Sequence, residues 1–377
     1  MRVLYQGLLR SPASWARVGR GYVEALLGLG LEVAALRSRG FRHDPSFPLP
    51  AGLYEISLEE ALSGPEPDVG LGFLHPPLAK RFLGRIRVEL LVWEADVLPE
   101  GWADALAEAA DRVAVPSAFT REALLRSGFP ADRIDVVPYG HSFRSGVRPP
   151  ERSPGGSFAI LSVAAPHWRK GVRELLVAYR RAFRRKEGVV LRVKTTYDPG
   201  SAGRRKPFEI PSWKELFAAS GFSDADAPRV EIDARTLGDA DMLALYREAD
   251  LYVQASWGES FGLALLEAMA ARVPAVATGW GGHMDFFPRG PDAIPYRFED
   301  AGDRLYEAAP GARVAIPSVE ALAERLRWHF ERREESRALG EAHRKAAEGL
   351  TWAEAGKKLA VVLERAARDG LRRASRR

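Results

Sequence analysis

The stretch ADLYVQASWGESFGLALLEAMAARVPAVATGWGGHMDFF, from Ala249 to Phe287, allows few folds. Leu251 to Ala255 is an apolar run suited to a strand, Ser256 to Gly262 is a glycine-punctuated turn, Leu263 to Ala271 has helical composition, and Val273 to Ala277 is a second apolar strand. That order makes one crossover unit of a parallel sheet. Two glutamates occupy unusual places in it. Glu259 lies in the turn, and Glu267 interrupts LALLEAMAA, a helix with almost no polar face. An ionised Glu267 there costs several kcal/mol unless something hydrogen-bonds it, and a ligand hydroxyl pair is a natural partner.

At about 1.5 Å per residue, the step from Glu259 to Glu267 separates the carboxylates by on the order of 10 Å. The amides of Ser260, Phe261, Gly262 and Leu263 lie between them at the start of the helix, where free N–H groups and the macrodipole favour a phosphate or a sugar oxygen. A nucleotide diphosphate sugar fits all three features. The plainer alternative keeps Glu259 as a solvated loop residue and Glu267 as a cap on a neighbouring backbone.

The motif and its trailing FGLALLEAMAARVPAVAT resemble the retaining GT-B glycosyltransferases of family 4, whose E-x7-E pattern is similar to Glu259 through Glu267. The resemblance implies that Glu259 lies beside the transferred sugar and Glu267 binds the nucleotide ribose. It further implies a hexosyltransferase acting with retention of anomeric configuration and without a metal. The donor would be a UDP- or GDP-sugar, with no permanently bound cofactor. The fold it implies is GT-B: α/β, two Rossmann-like doubly wound domains facing a cleft, and a C-terminal helix crossing back to the N-terminal domain.

The rest of the chain agrees with two domains, since 377 residues exceed one ordinary core and 46% hydrophobic content excludes wholesale disorder. Strands are expected at Val3 to Tyr5, Glu32 to Leu36, Val69 to Leu74, Val88 to Trp93, Arg112 to Val115 and Ile134 to Val137, interleaved with helices at Ala16 to Leu29 and Ala118 to Ser127. RSGVRPPERSPGGS, Arg144 to Ser157, breaks all periodicity and reads as a linker. A second series follows with Phe158 to Val163, Val189 to Lys194 and Arg229 to Asp233, and amphipathic helices close the chain. The expected division is 1–148 for the acceptor, 156–350 for the nucleotide sugar, and 351–377 for the returning helix.

In APHWRKGVRELL, Arg169 and Lys170 stand before Gly171 at a strand-to-helix turn, where cations oppose the macrodipole unless an anion is present. They are the candidates for neutralising a diphosphate leaving group. Family members commonly carry G-R-L at the end of this strand, whereas this chain has Ala164, Ala165 and Pro166, and Arg169 takes the place of that arginine. Lys194, in LRVKTTYDPG, is a further candidate near the phosphates or base. In the first domain LLVWEADVLPEGWADAL resembles the family's active-site strand, with Trp93 and Glu94 where relatives place a histidine. Glu94 and Asp96 either bind sugar hydroxyls or cap the following turn, and His75 is a weaker substitute. Ser14, Trp15 and Arg17 follow the first strand, where acceptor contact and ordinary cap and packing roles are equally open. His283 reads as a supporting or surface residue.

Cysteine is absent, which removes disulfides, thiol nucleophiles and thiolate metal sites. The two D-x-D strings, Asp224 to Asp226 and Asp239 to Asp241, read as structural, with Asp239 or Asp241 an N-cap, so no metal is expected. No GxGxxG follows a strand, which disfavours an NAD-dependent oxidoreductase. A non-catalytic nucleotide-sugar sensor or scaffold of the same fold remains the alternative. The net charge of +5 allows peripheral membrane contact, without a nucleic-acid motif. The expected partners are a nucleotide sugar and a carbohydrate, lipid-linked or small-molecule acceptor, and the oligomeric state is open. With no apolar run long enough to cross a bilayer and no signal pattern, the expected location is cytoplasmic, at most peripheral to the inner membrane face. Depletion of asparagine, glutamine and methionine suits a thermophile, and a GC-rich genome explains the Arg and Ala excess equally well.

Overall fold

The computed structural model describes residues 1–37, 43–74, 83–143, 156–196, 211–302 and 309–374. The chain forms two compact units: Met1–Trp93, Val97–Gly140 and Leu350–Arg377 make the first, and Glu94–Asp96 with His141–Gly349 make the second. Apart from Gly156 and Ser157, the expected linker lies outside the described residues.

The first unit runs β1 (Arg2–Gly7), α1 (Ser14–Gly28), β2 (Glu32–Leu36), β3 (Tyr54–Ile56), α2 (Leu58–Ser63), β4 (Val69–Phe73), β5 (Ile86–Leu90), α3 (Trp102–Ala109), β6 (Arg112–Val115), α4 (Ala118–Arg126) and β7 (Ile134–Val136). Among the described residues its strands pair in parallel in the order β3-β2-β1-β4-β5-β6-β7. Val3, Leu4, Tyr5, Val69, Leu71 and Val88 are buried, the near-continuous apolar reading of a sheet covered on both faces.

The second unit runs β8 (Phe158–Val163), α5 (Val172–Ala182), β9 (Val189–Lys194), α6 (Trp213–Ala219), β10 (Arg229–Asp233), α7 (Asp239–Arg247), β11 (Leu251–Gln254), α8 (Leu263–Ala270), β12 (Ala275–Thr278), β13 (Ala293–Ile294), β14 (Tyr296–Gly302), β15 (Ala309–Pro317), α9 (Val319–Glu331) and α10 (Arg333–Ala347). Its parallel sheet has the order β10-β9-β8-β11-β12-β13 among the described residues, while β14 and β15 form a separate antiparallel pair. In α5, Val172, Leu175, Leu176 and Tyr179 recur at helical spacing and are buried in the same core as Ile160, Leu191 and Val253.

The last helix, α11 (Trp352–Ala374), returns to the first unit and packs on α1. Small residues allow the approach: a Cβ on Gly21 would come within 2.4 Å of the Trp352 ring, and one on Gly356 within 2.4 Å of the Ala25 side chain. The Tyr22 ring meets Trp352 edge-on at 5.4 Å, and its hydroxyl donates to the Val137 carbonyl at 2.7 Å.

Several boundaries differ from the sequence expectation. The fourth apolar segment is a strand only to Leu90, because Leu91 N–H reaches the last paired carbonyl, that of Ala114. Val273 belongs to the C-terminal closure of α8, bonding back to Ala268, and Arg272 adopts φ 66° there, so β12 begins at Ala275. The α7 N-cap is Gly238, with Asp239 and Asp241 in the first turn, and the α1 N-cap is Ala13 rather than Ser14.

Candidate active site

In the second unit the strand order turns back between the parallel neighbours β8 and β11, and the C-terminal ends of strands at such a switch point are where open α/β sheets bind ligands. The loop after β8 ends in a 3-10 turn, Trp168–Lys170, and the loop after β11 spans Ala255 to Gly262. The two are pressed together. Gly171 has φ 62°, and a Cβ there would lie 1.8 Å from the Ala255 carbonyl oxygen, so only glycine fits. Trp257 N–H donates to the Arg169 carbonyl at 2.8 Å.

This contact brings Glu259 to the two cations. Lys170 Nζ donates to Glu259 Oε1 at 2.5 Å, Ser256 Oγ reaches the same oxygen at 2.7 Å, and Arg169 Nη1 stands 3.9 Å from Oε2. Burial alone would push the Glu259 carboxyl up, but the Lys170 and Arg169 charges, with the Lys170 and Ser256 hydrogen bonds, hold it down at about 2. Burial lowers the Lys170 ammonium, against the pull of Glu259. Burial and the same two cations push His167 well below its usual range.

Arg169 is a strut. Its Nη1 donates to the Gly258 carbonyl at 2.9 Å and its Nη2 pairs with Glu94 Oε1 at 3.1 Å. Asp96 accepts from Arg313 N–H at 2.6 Å and Arg313 Nε at 2.7 Å. Glu94 and Asp96 therefore make ion pairs within the second unit, beyond the turn-capping and hydroxyl-binding choices that sequence offered.

Behind the loop, Gly282 N–H donates to the Glu259 carbonyl at 2.7 Å, and His283, with 0% exposure, contacts the Thr278 carbonyl through Nε2 at 2.7 Å. His283 is thus a buried support and not a surface residue. A carbonyl partner requires the proton on Nε2, which leaves Nδ1 as a bare acceptor without a protein partner. Gln254 Nε2 is likewise buried without a partner, and both side chains flank Gly262, whose φ is 88°. Burial keeps His283 below its usual pKa.

Glu267 is 2% exposed and accepts from the Tyr246 hydroxyl at 3.0 Å, so a protein hydroxyl supplies part of the stabilisation that its burial demands. Ser260 and Phe261 are buried between the glutamates, Gly262 is the α8 N-cap and Leu263 its first, half-buried residue. Sequence reasoning missed Tyr246, Ser256 and Gln254. A tyrosine at the end of α7 and a lone polar residue at the end of an apolar strand were the available signals.

The remaining candidates sit elsewhere. Lys194 Nζ donates to the carbonyls of Thr195, Asp233 and Arg235, tying together the ends of β9 and β10. Its charged neighbours are Asp233 and Arg235. Trp15 is half-buried in the first unit, 6.1 Å from the Phe73 ring. His75 lies outside the described residues. Asp224 accepts from Arg180 at 2.6 Å in an exposed loop, and no group of three or more His, Asp or Glu side chains among the described residues is arranged to hold a metal.

Residues 158–327, which contain both loops, match the family Glycosyl transferases group 1. The resemblance to that family is carried by this segment, which is under half of the chain. Over 158 residues the chain is 32% identical to the D-inositol 3-phosphate glycosyltransferase of Arthrobacter sp. (strain FB24), covering 40% of this chain and 35% of that protein. The chain thus matches about a third of that relative's length. Among solved structures, Anabaena Alr3699/HepE in complex with UDP and glucose aligns with a TM-score of 0.67 at 16% identity, over 97% of this chain and 99% of that one. Sucrose-phosphate synthase from Thermosynechococcus elongatus aligns with a TM-score of 0.68 at 18% identity, over 97% and 98%. The fold is GT-B, built from two Rossmann-like domains. Among the described residues no helix is long and apolar enough to cross a membrane.

Proposed function

We propose that the protein transfers a sugar from a nucleotide diphosphate sugar to an acceptor hydroxyl with retention of configuration and without a metal. The observation that carries this reading is the ionised, buried Glu259 held against Lys170 at the switch point of the segment that matches the group 1 family, with Glu267 following on α8. UDP is the favoured nucleotide, because Alr3699/HepE was solved with UDP and with UDP-glucose.

In the proposed reaction the bond from the anomeric carbon to the diphosphate oxygen breaks, and a bond to the acceptor oxygen forms on the same face. The acceptor proton passes to the departing phosphate. Negative charge grows on the diphosphate and positive charge on the sugar. Lys170, whose side chain retains 23% exposure, carries the diphosphate charge, and Arg169 fixes the loop from behind. The amides from Ser260 to Leu263 support the same anion at the α8 N-terminus. Glu259 lies beside the sugar and steadies the developing cation, and Glu267 takes the ribose. Glu94, Asp96 and Trp15 are proposed to act on the acceptor side, the first two through the groups they orient. The acceptor is a carbohydrate, a lipid-linked saccharide or a small molecule, met in the cytoplasm or at the membrane's inner face.

The test combines thermal shift with turnover. UDP at about 100 times its dissociation constant should add roughly 2.7 kcal/mol to the native state. UDP-sugar consumption should fall about 100-fold or more in Lys170→Met and in Glu259→Gln. No response to UDP or GDP, together with full turnover in both variants, defeats the assignment.

A further inference from the structure

The protein treats the two oxygens of the Glu259 carboxylate differently. Oε1 accepts from both Lys170 Nζ, at 2.5 Å, and Ser256 Oγ, at 2.7 Å. Oε2 has no donor within hydrogen-bond distance among the described residues, and the Arg169 Nη1 atom 3.9 Å away is aimed at the Gly258 carbonyl. A carboxylate accepts through about four lone pairs, two on each oxygen, so the protein occupies one oxygen and leaves the capacity of the other to a ligand. Glu259 keeps 8% exposure, and Oε2 is the side that a ligand would meet.

Of the two donors on Oε1, Lys170 is shared. Its ammonium carries three hydrogens, the Glu259 bond needs one, and 23% of the side chain is exposed. In the proposed reaction it also answers the charge that grows on the diphosphate. Ser256 is different. Its hydroxyl has one hydrogen, and at 2% exposure no solvent competes for it. The backbone on either side is tied down: the Ala255 carbonyl lies against Gly171, and Trp257 N–H donates to the Arg169 carbonyl at 2.8 Å. Ser256 stands three residues before Glu259 in the same loop, so its bond survives a movement of the Lys170 side chain.

We propose that Ser256 is a positioning residue that anchors Glu259 Oε1 while Lys170 turns to the diphosphate, so that Oε2 stays aimed at the donor sugar and accepts a hydrogen bond from one of its hydroxyls. This rests on the transferase reading. Ser256 touches neither nucleotide nor sugar and acts through Glu259 alone. The group recognised has to carry a hydrogen, because an ionised carboxylate offers only lone pairs.

The experiment measures, on the full chain by calorimetry, the dissociation constant of UDP and that of UDP-glucose, UDP-galactose and UDP-N-acetylglucosamine, and follows the sugar nucleotide that binds most tightly. GDP and GDP-mannose take their place if GDP is the nucleotide that binds. Ser256→Ala should weaken the sugar nucleotide about 10-fold and leave the bare diphosphate within about 2-fold of wild type. Ser256→Thr keeps the hydroxyl and should hold the wild-type ratio of the two constants. In a Glu259→Ala background, Ser256→Ala has nothing left to position and should change sugar-nucleotide affinity by less than about 2-fold. Equal weakening of the diphosphate and its sugar conjugate in Ser256→Ala overturns the proposal, since a general loosening of the loop would do that. An unchanged ratio in Ser256→Ala, or losses that multiply in the double variant, overturns it as well. Wild type that binds neither diphosphate defeats the transferase reading, and the proposal with it, whereas normal wild-type binding with an unchanged ratio in Ser256→Ala defeats the positioning role alone.

Discussion

Lys170 Nζ and Glu259 Oε1 lie 2.5 Å apart, joining the loops that leave two neighbouring parallel strands. The pair is buried enough that removing one partner strands the other, a loss that typically costs about 3–5 kcal/mol. Arg169 at 3.9 Å and Ser256 at 2.7 Å remain for Glu259, so Lys170→Met should cost toward the lower end, about 3 kcal/mol. The pH signature is more specific. A carboxyl lowered from 4.5 to about 2 contributes stability that is complete above pH 4.5 and lost as pH falls toward 2. Without Lys170 the carboxyl rises, because burial is then less opposed, so less stability is lost as pH falls from 4.5 toward 2 and the acid limb of the curve flattens. Melting temperature against pH for both proteins checks this, and parallel curves would rule it out.

Much of this site is readable in the sequence, for a physical reason. Glu259, Lys170 and Glu267 each break a local rule: a charge between glycines, a cation at a helix start, a carboxylate on an apolar helix. What the sequence does not carry is who meets whom. That β8 lies beside β11 is a topological fact, and with it come the Lys170 to Glu259 pair and the Arg169 strut to Glu94. Tyr246 and Ser256 escape because each looks ordinary until its partner is known. The β14–β15 hairpin escapes because Tyr296, Arg297 and Phe298 are all exposed, so β14 lacks the alternation that marks a half-buried strand.

Gly171→Ala tests whether the two loops must touch. The new Cβ would sit 1.8 Å from the Ala255 carbonyl oxygen, a backbone atom, and the residue would have to hold φ 62°. Steric exclusion and a left-handed conformation each cost on the order of 1–3 kcal/mol, so the loops should separate or the domain lose at least about 2 kcal/mol. Gly188→Ala is the control, since φ is 64° there and nothing lies within 4 Å of the added methyl. It should cost about 1 kcal/mol and leave UDP binding unchanged. Equal losses in the two variants would show that strain alone matters and that the loop contact does not.

Glu89 on β5 offers a test in the first unit. It is 5% exposed and accepts from Leu74 N–H at 3.0 Å, and burial pushes its carboxyl up to about 8 against the pull of that hydrogen bond. Below pH 4.5 both folded and unfolded chains hold the proton. Between 4.5 and 8 the unfolded chain releases it while the folded chain keeps it, so stability falls as pH rises through that window and levels off above it. Glu89→Gln keeps an oxygen for Leu74 and cannot ionise. Relative to wild type the variant should gain nothing at pH 4.5 and grow steadily more stable, by a few kcal/mol at pH 8. Urea midpoints at both ends of the window measure the difference, and a gap that does not change with pH would mean that Glu89 is already ionised in the folded protein.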